Sequence, residues 1–156
     1  QSTEYREQST ENRVQRTEYR VQRTEYREQS TENREQRTDM NNSVTHLKSK
    51  AFAVRIIRFY KYLTEEKHEY VLAKQILRSG TSIGANVRES YSAQSKADFI
   101  NKLHIALKEA DETLYWLELF VESEIITQSE FDSLAADLKE ISALLASSIK
   151  TSKNNK

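Results

Sequence analysis

The chain has no cysteine and no proline, and only two glycines, Gly80 and Gly84, among its 156 residues. Without cysteine it can form no disulfide, no thiolate metal site and no cysteine nucleophile. Sheet proteins need turn residues in quantity, so the scarcity of glycine and proline points to a few long helices joined by short loops. Net charge is missing too. The 24 Lys and Arg balance 24 Asp and Glu, which argues against a strongly basic nucleic-acid binder but leaves room for a local patch. No apolar run approaches the length of a bilayer span, and no basic start leads into an apolar stretch. Neither a membrane segment nor a signal peptide is expected, and the cytoplasm is the expected location.

What is present begins with a repeat. Residues 1–39 follow a seven-residue period, [EV]-Q-[SR]-T-E-[YN]-R, with little drift between copies. A coiled coil needs two apolar positions per heptad. Here the apolar candidates are only Val14, Val21, Tyr5, Tyr19 and Tyr26, replaced elsewhere by Glu and Asn. With no apolar seam to offset its ordering entropy, the segment is expected to be disordered, or transiently helical at best. Such uniform units suggest a tandem DNA repeat read in frame. Met40, the single methionine, is then a candidate natural start; a flexible arm with a binding role is the rival reading. Eight Arg against nine acidic residues make the segment a poor nucleic-acid tail.

Residues 40–156 read as an all-α, antiparallel up-down-up-down four-helix bundle. Phe52, Ile56, Phe59 and Leu63 share one face of a first helix expected over Thr45–Glu65. Leu72, Ile76, Ser79, Ile83 and Val87 line a second, whose two glycines one turn apart call for close approach of another backbone. Ser95-x-x-Asp98 resembles an N-cap. It opens a third helix with Phe99, Leu103, Ala106, Ala110, Leu114, Leu117 and Val121 inward. Thr127-x-x-Glu130 is a capping box, opening a fourth with Phe131, Leu134, Leu138, Ile141, Leu145 and Ile149. The polar tail, Thr151–Lys156, is expected to fray.

Chemistry is hard to find in this pattern. Glu65-x-x-His68 is a single copy of a motif that di-iron bundles need twice, with further inward Glu. His104, Lys108, Asp111 and Tyr115 line up on a face read as solvated. There is no phosphate loop, nucleophile elbow or metalloprotease motif, so no catalytic residue, metal or cofactor is expected. Two surface features remain. Ile105, Trp116 and Leu119 on the third helix, and Val54 and Ile57 on the first, lie off the core stripes and are candidates for a subunit interface. Glu109 and Glu112 flank the Trp116 stripe and are candidates for ion pairs across that contact. Lys48, Arg55 and Arg58 run beside Tyr62 along one flank of the first helix, with Arg78 and Arg88 of the second as possible additions. Cations beside an aromatic ring suit phosphates and a stacked base, so this strip is the nucleic-acid candidate.

Three runs carry a family resemblance: Leu72 to Glu89 (LAKQILRSGTSIGANVRE), Ser95 to Ile100 (SKADFI) and Ala106 to Leu117 (ALKEADETLYWL). Together they resemble the bacterial four-helix-bundle proteins encoded in intervening sequences of 23S rRNA genes. The resemblance spans roughly residues 45–150. It implies a bundle that assembles into a homopentameric ring, and it brings no catalytic residues. The chain is also similar to the accessory variability protein of diversity-generating retroelements, a basic pentameric bundle that binds nucleic acid and a reverse transcriptase. After residue 39 this chain is not basic, with 16 Lys and Arg against 15 Asp and Glu. The reading is a non-catalytic oligomeric scaffold, acting on RNA or DNA, on a partner protein, or on both. Its competitor is a protein-binding assembly module without nucleic-acid contact.

Overall fold

The computed structural model describes residues 2–155. Among the described residues there are four helices: α1 (Ser2–Glu65), α2 (Val71–Ser90), α3 (Lys96–Glu122) and α4 (Gln128–Asn154). The chain divides into two compact units, Gln1–Asp39 and Met40–Lys156.

In the first unit the repeat is helical, against the expectation of disorder. The stretch has no glycine or proline and is built largely from Glu, Gln and Arg, which lose little rotamer freedom in a helix. Each repeat adds a local bond, the threonine Oγ1 donating to the carbonyl four residues back: Thr10 to Arg6, Thr17 to Arg13, Thr24 to Arg20, Thr31 to Arg27 and Thr38 to Arg34, at 2.8–2.9 Å. The absence of an apolar seam is real nonetheless. From Thr3 to Arg37 every side chain is exposed.

The second unit is a four-helix bundle with antiparallel neighbours. Ser49 and Ile56 of α1 meet Gly84 and Gly80 of α2, in reverse order. Lys48 and Arg55 of α1 meet Glu140 and Asp137 of α4 in the same reversed sense. On the α2–α3 side, Arg78 reaches Glu109 while Glu89 reaches Lys102. The glycines of α2 are explained by these contacts. A Cβ on Gly80 would come within 2.8 Å of Ile56 Cγ1, and one on Gly84 within 3.2 Å of the Ser49 carbonyl oxygen. Only at Gly84 is the obstacle another backbone; at Gly80 it is a buried side chain.

The core follows the expected stripes on α1, α2 and α4 with small shifts. Phe52, Ile56, Phe59 and Leu63 are buried from α1, as are Ile76, Ile83 and Val87 from α2. On α3 the buried face is rotated. Thr113 and Phe120 are fully buried, whereas Phe99, Leu114 and Val121 are only half-buried. Phe120 meets Phe59 edge-on at 6.1 Å between ring centroids. Buried Thr113 donates to Ser79 Oγ at 2.9 Å, giving two hydroxyls partners across the α2–α3 contact. Both predicted caps form. Ser95 accepts from the Asp98 amide, and Thr127 and Glu130 close a reciprocal capping box. The C-terminal tail differs from expectation, because α4 runs on to Asn154. Buried Ser148 and Ile149 anchor the preceding turn, so the polar residues after it continue a helix already held.

Candidate functional site

The expected basic strip does not form as one surface. Lys48, Arg55, Arg58 and Tyr62 do share the flank of α1 that faces α4. There Lys48 pairs with Glu140 at 2.6 Å, and Arg55 pairs with Asp137 at 2.8 Å and bonds to Ser133. Two of the three cations are therefore met by carboxylates of the same chain. Arg58 is exposed and, among the described residues, makes no ion pair. It lines an open groove of about 500 Å³ with Arg55, Phe59, Tyr62, Ser129, Glu130, Ser133 and Leu134. Lys67 lies 5.7 Å from the centroid of the Tyr62 ring. Glu130 at the mouth of this groove is held below the usual carboxylate range. Its partial burial acts the other way, but hydrogen bonds from the Thr127 amide and hydroxyl and from Tyr62 outweigh it.

Arg78 and Arg88 do not add to this strip. Arg88 is exposed on α2. Arg78 lies on the α2–α3 flank, where its guanidinium donates to Glu109 at 3.2 Å and to Glu112. Hydrogen bonding to Glu112 is the largest cause of the raised Arg78 pKa, and the same bond lowers that of Glu112. The indole Nε1 of Trp116 also donates to Glu112, at 3.2 Å. The two glutamates considered for pairing across a subunit contact are thus met within the chain, by a residue assigned from sequence to the other surface.

The candidate interface residues separate into two sets. Ile105, Trp116 and Leu119 are half-buried on α3, with Trp116 packed against the core. Val54 and Ile57 stand out from α1, each 43 % exposed. Leu47, one heptad before Val54, is 63 % exposed and extends their row. Sequence reading missed it, although its spacing from Val54 was the available signal. Asp137, Glu140 and Ser133 were missed as well. Nothing in the spacing of α4 shows which of its polar residues will face α1.

The other polar groups do not converge. His68 Nδ1 lies 3.2 Å from the Tyr70 hydroxyl in the α1–α2 turn. Among the described residues no group of three His, Asp or Glu side chains is placed to hold a metal ion. Among them, too, no helix is long and apolar enough to cross a membrane.

Residues 41–147 match the family described as 23S rRNA-intervening sequence protein. The chain belongs to that family. Its bundle is similar to a crystal structure from Bacteroides thetaiotaomicron, a protein with unknown function from the S23 ribosomal protein family. The two are 58 % identical, with a TM-score of 0.70, covering 70 % of this chain and 98 % of the other. No curated protein matches. The matched residues include both glycines of α2, the Arg78–Glu109–Glu112–Trp116 cluster and the α1–α4 flank.

Proposed function

We propose that the bundle is a non-catalytic scaffold that assembles with copies of itself and acts by binding. The observation that carries this reading is the row Leu47, Val54 and Ile57, spaced seven and three along α1 and left exposed by the chain's own packing. A bundle has one core, and these residues lie across α1 from it. Large aliphatic side chains repeated at helical spacing on an outer face are what a second subunit would cover. A patch on α1 and a different one on α3 suit a head-to-tail contact, which closes into a ring when the rotation per subunit allows. The family resemblance supports five subunits for that ring. A triple variant, Leu47→Ser, Val54→Ser and Ile57→Ser, should shift light scattering toward the monomer mass while keeping the helical signal. Unchanged assembly would remove the basis of the reading.

A second reading, contact with nucleic acid along α1, draws support from Arg58. Among the described residues it makes no ion pair, and it lines the α1–α4 groove with Tyr62. A ring would repeat that cation around its axis and raise its effective concentration. The pairing of Lys48 and Arg55 weakens this reading, because a phosphate would have to displace Glu140 and Asp137. The partner-protein form of the scaffold is therefore favoured. Fluorescence anisotropy with short single-stranded RNA and duplex DNA at low salt separates the two. Binding abolished by Arg55→Glu with Arg58→Glu restores the nucleic-acid reading, and no binding leaves the protein scaffold.

A further inference from the structure

The repeat carries its charges in a pattern that appears only once it is helical. At about 100° per residue, the Glu positions of successive repeats fall on one side and the Arg positions roughly on the other. Side chains three or four apart are the neighbours on a helix surface, and here none of those neighbours is of opposite sign. They are instead Glu4–Glu7–Glu11, Arg13–Arg16–Arg20–Arg23–Arg27, Glu25–Glu28–Glu32–Glu35–Asp39 and Arg34–Arg37. Among the described residues no ion pair lies within this stretch. Like charges at such spacings destabilise a helix, and nothing in the segment relieves them. A surface of opposite charge laid alongside would, and the helix carries one of each sign with the same period.

The flank between the two charged sides indicates how a second copy fits. Tyr5, Gln8, Asn12, Gln15, Tyr19 and Gln22 alternate three and four apart, the spacing of the seam of a two-stranded coil. Two hollows open along it. One, of about 350 Å³, is lined by Tyr5, Gln8 and Asn12 with Arg13 and Arg16. The other, of about 390 Å³ and three repeats on, is lined by Tyr26, Gln29 and Asn33 with Arg34 and Arg37. On either edge of this seam stand Glu11, Glu18 and Glu32 on one side and Arg16, Arg23 and Arg37 on the other. In a parallel pair the Glu edge of each helix meets the Arg edge of its partner, offset by five residues. An antiparallel pair would set Glu against Glu.

We propose that the repeat helix pairs in parallel with the repeat helix of a second copy of this chain, Glu edge to Arg edge. The seam is polar, so the pairing is charge-driven and sensitive to salt, and it is separate from the apolar contacts proposed for the bundle.

Because the chain has no cysteine, single-cysteine variants of the full chain test this directly. Asn12→Cys places a thiol on the seam, and Thr17→Cys places one on the far side. Under mild oxidation at low salt, Asn12→Cys should cross-link between copies and Thr17→Cys should not. The rate should fall roughly tenfold at about 1 M salt, where the screening length is only about 3 Å. Adding Arg16→Glu, Arg23→Glu and Arg37→Glu should abolish the cross-link. Mixing that chain with one carrying Glu11→Arg, Glu18→Arg and Glu32→Arg should restore it. Circular dichroism checks that each variant is folded, and light scattering at high salt reads bundle association separately. Equal cross-linking at both positions, or a rate indifferent to salt and charge reversal, overturns the proposal. So does RNA binding that needs Arg16 and Arg23 while Asn12→Cys stays uncross-linked, since the Arg face would then serve a polyanion.

Discussion

Gly80→Ala sets two opposing effects against each other inside α2, and the structure decides the sign. An alanine in a helix interior is favoured over glycine by about 1 kcal/mol. At this position the new methyl would sit 2.8 Å from Ile56 Cγ1 and 2.9 Å from Cγ2. Ile56 is fully buried and β-branched, so it has no alternative rotamer into which to retreat. Overpacking of this kind costs about 1–3 kcal/mol, which leaves a net loss of up to about 2 kcal/mol after the propensity gain. The cause is tested by a cycle with Ile56→Ala, which removes both Cγ atoms. That change alone should cost about 2–5 kcal/mol through the cavity it leaves. In its background Gly80→Ala should become stabilising, by up to about 1 kcal/mol, since the propensity term then faces only the Cβ of residue 56, 3.3 Å away. Urea unfolding of the four chains at one fixed protein concentration gives the coupling, provided the denaturant slope stays constant. Effects that add to within about 0.5 kcal/mol, or a Gly80→Ala that stabilises the wild-type chain, would refute the close-contact explanation of this glycine.

Three further outcomes are expected. Glu124 holds a left-handed φ of 62° in the α3–α4 turn, so Glu124→Gly should raise stability by about 0.5–1 kcal/mol, readable as a higher unfolding midpoint. Thr127→Ala removes the hydroxyl that accepts from the Glu130 amide in the capping box that opens α4, while the backbone amide of residue 127 can still donate to Glu130; it should cost about 1 kcal/mol in the same assay. Glu112 is held below the usual carboxylate range by Arg78. The stability it contributes is therefore full above the unfolded value of about 4.3 and is lost as pH falls through its lowered folded value. Glu112→Gln should accordingly destabilise at neutral pH and have no effect at the acid end of a melting-temperature series.

The caps and stripes were legible because they depend on neighbours a few residues apart. Ser95 with Asp98 and Thr127 with Glu130 announce helix starts by spacing alone, and Leu134, Leu138, Ile141 and Leu145 give the inner face of α4 by period alone. The rotation of one helix against another is not local. The burial of Phe120 and Thr113 in place of Leu114 and Val121 on α3 followed from how α2 and α4 pack around it. The same holds for the surfaces. Arg78 reads as a free cation until α3 brings Glu109 and Glu112 beneath it, and Arg55 until α4 brings Asp137. In the repeat, the missing apolar seam correctly gave full exposure, but weighing only apolar burial overlooked helix propensity and the recurring threonine bonds.

Self-assembly of the bundle is the central claim, and the mass of the intact particle tests it most directly. Multi-angle light scattering at micromolar concentration, in high salt so that charge pairing of the repeat is screened, measures that mass for the wild-type chain. The account predicts a single species at five times the 18.3 kDa chain mass. A particle of 18.3 kDa, with Leu47, Val54 and Ile57 left open to water, would contradict it.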